Sequence, residues 1–589
     1  MMRTNKLLVA ALGMGMTVGV FLYLQSHYAF NYFFEEQFQL FRFSADYAQA
    51  FFQRIGGPVA YLASFLVQFF VRPYVGAAVS ALLFAVTVFG LRACQLRLSG
   101  GKELPLAYLL PGMFFVWAGA DVNCHFEAGL AFAAMAWLLA AYVRVPGRGV
   151  RLAVALPLSW LFFYAAGPLS CGLAAACCVV ELGRKGKGRW GSLLLLPGAL
   201  LAPLLCFYAD ATDEPLHRLL TMEFYSNAMA PVSVWVNGAL VAWWGMLVLA
   251  QLYPLCPKGQ RPWVRYVSWG VQAVLAAVVG WKVGGVANYP QNYLAKKLDY
   301  YVRHERWNDV LGEQELRPSQ NLLHACFQNL ALARLGKLSS AAFITPQIGT
   351  KGLWVEWNRS AYTSALLSEV SFTMGNVALA QVLAFEGLVA SERSENPRLL
   401  LRLVQTHLIE GAYPVAEKYI RFLRQSYAYR RQAEAYAAFL YNDRRVEADP
   451  VLGPLRRCRS QVDGLTSLEQ APMDLWQVMR SNPSYRPAFD YFAAFCLLSR
   501  DMQTFGQMLD EFRTAPALQP MPRVFQEVAI ILHEGQPDTW KEYGIEEDTR
   551  QRFLEFRKGV MAARRNPVLA NQLRASFGTT YWYYYMMKK

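Results

Sequence analysis

No phosphate loop, dinucleotide fingerprint, nucleophile elbow or His-Glu-x-x-His helix occurs in the 589 residues, so soluble-cofactor enzymology has no support in this chain. Cysteine is sparse and scattered. Seven of the ten (Cys94, Cys124, Cys171, Cys177, Cys178, Cys206, Cys256) lie in or beside apolar segments, where a free thiol behaves as a small hydrophobe. Cys326, Cys458 and Cys496 remain, an odd set without metal spacing, which indicates neither a disulfide framework nor a zinc site. Acids are outnumbered, 42 Asp and Glu against 57 Lys and Arg, for a formal net charge of +15. The excess does not point to nucleic acid, because many of the cations occupy short loops beside apolar segments, where they set topology and meet anionic lipid. Long apolar runs are missing after Tyr289.

What is present is apolar surface: 55% hydrophobic and 14% aromatic residues, too much for an ordinary soluble domain and too long for one domain. Expected membrane spans are Leu7 to Gln25, Val75 to Leu91, Leu106 to Ala120, Phe126 to Val143, Leu152 to Ala166, Pro168 to Leu182, Leu193 to Phe207, Val232 to Pro254 and Tyr266 to Val286. The first is too long for a signal peptide and is followed by no small-residue cleavage site, so it reads as uncleaved.

The loops between these runs are sorted by charge. Arg92, Arg97 and Lys102, then Arg144, Arg148 and Arg151, then Arg184, Lys185, Lys187 and Arg189, then Lys258, Arg261 and Arg265 crowd alternate loops. The intervening loops hold the acids, and positive charge marks the cytoplasmic side. Sorting holds if Pro58 to Val71 is re-entrant or interfacial and if Leu152 to Leu182 is a short hairpin turning at Gly167 and Pro168, which puts Arg151 and Arg184 on the same side. The acids, and everything after about residue 287, then face outward. The expected site is a bacterial inner membrane with the second half in the periplasm.

After Tyr289, charges of both signs mix with apolar residues at helical spacing. A pattern recurs in which a small or charged residue is followed two positions on by an apolar or aromatic one and three further on by a small one. Its instances are Glu305, Trp307 and Val310; Gly336, Leu338 and Ala341; Gly375, Val377 and Ala380; Gly411, Tyr413 and Ala416. The spacing is near that of a tetratricopeptide repeat. Tyr491 to Leu509 reads as a degenerate later unit, and Tyr581 to Tyr585 as a cap on the last hairpin or a membrane contact. The expected fold is all-α: a polytopic transmembrane bundle over 1–288 followed by a tetratricopeptide-like α-solenoid over 289–589.

YFFEEQFQLF at Tyr32 to Phe41, GGPVAYLASFLVQFF at Gly56 to Phe70 and the closing YWYYY resemble a family of Bacteroidota integral membrane proteins that carry helical repeats, a likeness covering essentially the whole chain. That family has no activity to lend. In architecture alone the chain is similar to C-type glycosyltransferases, which use a polyprenyl-phosphate sugar donor and have a long first outer loop with a catalytic acid. The similarity implies a glycosyltransferase-like enzyme. The other classes open to the sequence are a non-catalytic membrane anchor for a repeat scaffold, with a protein or glycan partner on the repeats, and a transporter or flippase.

The candidate chemistry lies in three outer regions. Ser26 to Gly57 carries Glu35, Glu36 and Asp46 among aromatics, as on amphipathic helices in the headgroup layer; adjacent Glu35 and Glu36 cannot face the same way on a helix. Asp121, Asn123, His125 and Glu127 form a polar turn, with Glu127 at the apolar boundary, where an ionisable group is expensive and has a partner or a task. His125 and Glu127 match the His-x-Glu of zinc deaminases, but no Pro-Cys-x-x-Cys follows. The third loop holds Asp210, Asp213, Glu214, His217, Arg218 and Glu223, with Asp213 read as a helix N-cap. In the transferase reading Glu36, Asp46 and Glu127 act as base or metal ligand, Arg218 and Lys282 hold donor phosphate, and Glu35, Asp121, His125 and Asp210 are further candidates. A divalent cation is left open, and the metal is unnamed.

Overall fold

A computed structural model describes residues 2–587 except 120, 122, 185–188, 227–231, 254–261, 288–289, 317–320, 343–346, 392–394, 461–465 and 564–566. Lys185, Lys187, Lys258 and Arg261 of the charge pattern lie outside the described residues. Among the described residues every regular element is helical, and the chain divides into two compact units, Met1–Lys296 with Gln425–Ala428, and Lys297–Arg424 with Tyr429–Lys589.

The first unit contains α1 (Met2–Glu36), α2 (Ala45–Phe52), α3 (Gly57–Val67), α4 (Val75–Leu98), α5 (Pro105–Ala118), α6 (Glu127–Arg144), α7 (Arg148–Ala166), α8 (Leu169–Gly183), α9 (Leu195–Tyr208), α10 (Leu216–Leu220), α11 (Val234–Leu252), α12 (Pro262–Ala287) and the start of α13 (Pro290–Arg303). Among the described residues five stretches are long and apolar enough to cross a membrane: Val75–Leu98, Glu127–Arg144, Arg148–Ala166, Arg189–Tyr208 and Val234–Leu252. Nine were expected. At 14 and 15 residues, α5 and α8 cover roughly 21–23 Å at about 1.5 Å per residue, short of a hydrocarbon core of about 30 Å.

No proline or glycine interrupts Ser26 to Glu36, so α1 runs on through these residues as one helix of 35 residues. The separate interfacial helices expected there are reduced to α2, capped by Ser44, whose hydroxyl accepts the Tyr47 amide at 3.3 Å. Helices α7 and α8 form an antiparallel hairpin, and Gly167 at its tip adopts φ 85°, open to glycine at little cost. At the base of this hairpin Arg151 and Arg184 donate to the carbonyls of Val145 and Val143, both at 3.1 Å, so the two arginines occupy the same end. The Gln95 amide at the end of α4 donates to the Lys102 carbonyl at 2.8 Å, and the Lys102 ammonium lies 5.0 Å from the Tyr253 ring centroid, past the end of α11.

Toward the opposite end lie Glu35, Asp121 and Glu127, which act together on Cys124. Gly56 donates to the Tyr164 carbonyl at 2.8 Å near the hairpin tip. Phe70, at the far end of the same short segment, packs edge-on against Tyr32 and Phe126 at 5.3 and 5.4 Å. Gly57–Val71 therefore enters and leaves at one end of the bundle.

The second unit continues with α14 (Trp307–Leu316), α15 (Leu322–Arg334), α16 (Leu338–Ala341), α17 (Ala361–Met374), α18 (Val377–Ala390), α19 (Pro397–Glu410), α20 (Tyr413–Arg424), α21 (Arg430–Ala437), α22 (Asp443–Ala448), α23 (Leu452–Arg457), α24 (Ala471–Ser481), α25 (Arg486–Ser499), α26 (Met502–Phe512), α27 (Arg523–Leu532), α28 (Pro537–Glu542), α29 (Glu547–Ala563), α30 (Pro567–Phe577) and α31 (Tyr581–Met587). The recurring sequence pattern marks its turns. Glu305, Gly336, Gly375 and Gly411 all sit at positive φ between paired helices, and so does Arg500 between α25 and α26.

Each such turn closes with one bond of the Schellman type: the amides of Arg306, Lys337, Asn376, Ala412 and Asp501 reach the carbonyls of Tyr301, Leu332, Ser371, His407 and Cys496 at 2.8–3.0 Å. Two positions after the turn residue the next helix opens on Trp307, Leu338, Val377, Tyr413 or Met502, and the fifth position is buried at Val310, Ala380, Ala416 and Phe505 and half-buried at Ala341. Helix α25 turns back to pack on α15, α16 and α17, with Phe495 stacked on Trp354 at 5.5 Å and the Tyr485 hydroxyl donating to the Thr373 carbonyl at 2.9 Å. The C-terminal aromatics close the unit: Tyr581 and Trp582 are buried, and the Trp582 indole donates to the Glu527 carbonyl at 2.8 Å.

Candidate functional site

At the acid-rich end of the first unit the chain between α5 and α6 is drawn into a tight polar turn. The Asp121 side chain accepts the Asn123 amide at 3.0 Å, and its carbonyl accepts the Cys124 amide at 3.1 Å. Cys124 then pairs antiparallel with Ser226, and the His125 amide donates to the Tyr225 carbonyl at 2.9 Å. The Asp121 turn is thereby fixed to the loop that begins at Asp210.

Helix α1 brings Glu35 to this turn. A cavity of about 60 Å³ is walled by Tyr32, Glu35, Ser80, Thr87, Cys124 and His125 among apolar neighbours. His125 Nδ1 stands 3.5 Å from the Glu127 carboxylate. Lys296 in α13 is buried, and its ammonium donates to Asn31 Oδ1 at 3.0 Å, one turn before Glu35 on α1.

Glu35 lies beyond the apolar run Leu7 to Gln25, and its carboxyl is pushed up to about 7: burial dominates, opposed by the charges of His125 and Lys296 and by the Phe126 amide. Lys296 is drawn down to about 8, again by burial, against the pull of the Glu35 and Asp121 carboxylates. The Cys124 thiol is raised by burial and then by Asp121, Glu35 and Glu127. Four of the sequence candidates, Glu35, Asp121, His125 and Glu127, thus act on one small volume.

The others lie elsewhere. Glu36 is buried on a different face of α1 from the cavity, as adjacency on a helix requires. Asp46 is exposed in the first turn of α2. Asp210 is the left-handed residue that ends α9, with the following Ala211 amide bonded to the Cys206 carbonyl at 3.0 Å. Asp213 is exposed and does not cap α10, whose N-cap is Pro215, without a side-chain bond. Arg218 grips its own loop, at 2.9 Å to Glu214 and 2.8 and 3.1 Å to the carbonyls of Ser226 and Glu223, so a phosphate would have to displace these partners. Lys282 is exposed on α12. Among the described residues no three His, Cys, Asp or Glu side chains converge as metal ligands.

Sequence reasoning missed Lys296 and Asn31. Lys296 and Lys297 are adjacent on an amphipathic helix, where a lysine reads as surface, and no local pattern distinguishes the buried one.

No curated protein and no solved structure matches the chain. One family does, across residues 3–588, and the chain belongs to it: the family of unknown function DUF6057.

Proposed function

We propose that this protein is a non-catalytic, multi-pass anchor of the bacterial inner membrane that carries a tetratricopeptide-like scaffold in the periplasm and docks an amphipathic helix of an envelope protein there. The charge sorting of the two bundle ends supports the sidedness, with the cationic end cytoplasmic. The repeated Schellman-closed hairpins support the scaffold.

The observation that carries the reading is a groove of about 370 Å³ within the second unit, between α18, α19 and α20. Its walls are Gln381, Val382, Phe385 and Glu386 on one side and Val415 and Tyr419 on the other, over a floor of Leu403 and His407. Ala378, Val382, Phe385 and Val389 follow at helical spacing and all stand exposed, so α18 offers a continuous apolar ridge beside the groove. An apolar ridge beside a groove edged by Gln381, Glu386 and His407 suits an incoming amphipathic helix with apolar anchors at i, i+3 and i+7. Helices α15 and α17 pack against α25, while the groove between α18, α19 and α20 is open among the described residues.

A second reading, a glycosyltransferase-like enzyme using a polyprenyl-phosphate sugar, draws support from the convergence of Glu35, Asp121, His125 and Glu127. It is the weaker on size, since 60 Å³ is far below the roughly 300 Å³ at which ligand pockets begin. Photo-crosslinkers placed at Val382 and Val415 of the full-length protein in cells test the scaffold. The reading expects one discrete protein adduct at both, none from exposed Met473, and loss of the adduct together with the deletion phenotype in Phe385→Glu. Absence of any adduct, or a Phe385→Glu strain indistinguishable from wild type, would overturn it.

A further inference from the structure

Beyond the scaffold reading, we propose that Glu35, His125, Glu127 and Lys296 form a proton-binding site, which takes one proton from the small cavity at the acid-rich end of the bundle. Three observations meet there. First, the cavity has room for a few water molecules and no organic ligand, at about 60 Å³ against roughly 10–15 Å³ for each water measured the same way. Its ligand is therefore of the size of water and its ions.

Second, groups able to share a proton meet there. Glu35 and His125 both line the cavity, His125 Nδ1 stands 3.5 Å from the Glu127 carboxylate, and the buried Lys296 ammonium is drawn by the Glu35 and Asp121 carboxylates. Carboxylates gathered about an imidazole bind a proton as one coupled site.

Third, the wall supplies a path. Ser80, Thr87 and Tyr32 hydroxyls share the cavity with Glu35 and His125, so water inside it finds the several polar partners it needs. Further titratable neighbours among the described residues are Asp121 and the Tyr32, Tyr225 and Cys124 groups, these last three held protonated by burial, while Glu36 does not line the cavity. The bound proton is shared between the Glu35 carboxylate and the His125 imidazole, with Glu127 holding the imidazole in place and Lys296 setting how readily the proton leaves.

Dicyclohexylcarbodiimide reacts with protonated carboxyls in apolar surroundings and reads the site directly. Full-length protein in native membranes is treated across a pH series, and the adduct on Glu35 is quantified by peptide mass spectrometry. Labelling of Glu35 should fall roughly tenfold or more between about pH 5.5 and about pH 8.5, with the same course in sodium and potassium buffers. Lys296→Met, which removes the nearby cation, should move the midpoint upward by about one pH unit or more. Labelling that is flat with pH in the wild type, an unshifted midpoint in Lys296→Met, or protection by sodium would each overturn the proposal; the wild-type series needs no variant to fold.

Discussion

Arg151 grips Glu181 with two nitrogens, Nε at 2.6 Å and Nη2 at 3.2 Å from its carboxylate oxygens, across the base of the α7–α8 hairpin. Glu181 is wholly buried, and Arg148 approaches it to 3.5 Å as a second cation. Removing one partner of a buried pair leaves an uncompensated charge, whereas replacing both by apolar residues is nearly neutral. Arg151→Leu should therefore lower stability by about 3–5 kcal/mol, somewhat less if Arg148 moves in, while the double variant with Glu181→Leu recovers most of the loss. Thermal unfolding of the three proteins in detergent measures it.

Glu527 ties the C-terminal helix to the second unit. Its carboxylate accepts the Tyr581 amide at 2.7 Å, and burial pushes its carboxyl up to about 7 against that amide, Arg523 and Arg552. The folded-state value lies above the unfolded one, so folding favours the protonated acid. Its stabilisation is complete below the unfolded value near 4.5 and is lost as pH rises through 7, a change of up to about 3 kcal/mol. Thermal unfolding of the full chain followed by circular dichroism should show a lower midpoint at pH 8 than at pH 5, and Glu527→Gln should flatten that difference.

Two glycines at equivalent turns differ in their surroundings. At Gly375, φ 88°, an added Cβ would lie 2.9 Å from Val478 and 3.0 Å from the Tyr485 ring; at Gly336, φ 67°, it would meet open space. Gly336→Ala should cost only the left-handed strain, about 1–2 kcal/mol, whereas Gly375→Ala adds about 1–3 kcal/mol of crowding. Denaturant midpoints of the two variants should rank in that order.

Much of this architecture is legible in the sequence for definite reasons. Arg151 and Arg184 point to a short hairpin because charge sorting puts both on one side, and Gly167 with Pro168 marks the turn. Gly336, Gly375 and Gly411 announced the repeated turns because a left-handed helix end favours glycine; Arg500 occupies the same conformation and escapes that signal. The continuation of α1 past Gln25 was hidden by aromatics that suit a membrane surface as well as a buried helix. At the site, Asp121, His125 and Glu127 were readable as neighbours in sequence. Lys296, which completes the cluster from 265 residues beyond Asn31, was not, because only the folded chain brings them together. The return of α25 across α15 to α17 is likewise a long-range event that no local period encodes.

The proposed periplasmic scaffold rests on sidedness. Single cysteines at Arg97→Cys and Asp213→Cys, each exposed and at opposite ends of the bundle, can be tested in a cysteine-free background with a membrane-impermeant maleimide on intact spheroplasts. The account predicts labelling at position 213 without permeabilisation and at position 97 only after it. Labelling at position 97 from outside, with position 213 protected, would contradict it.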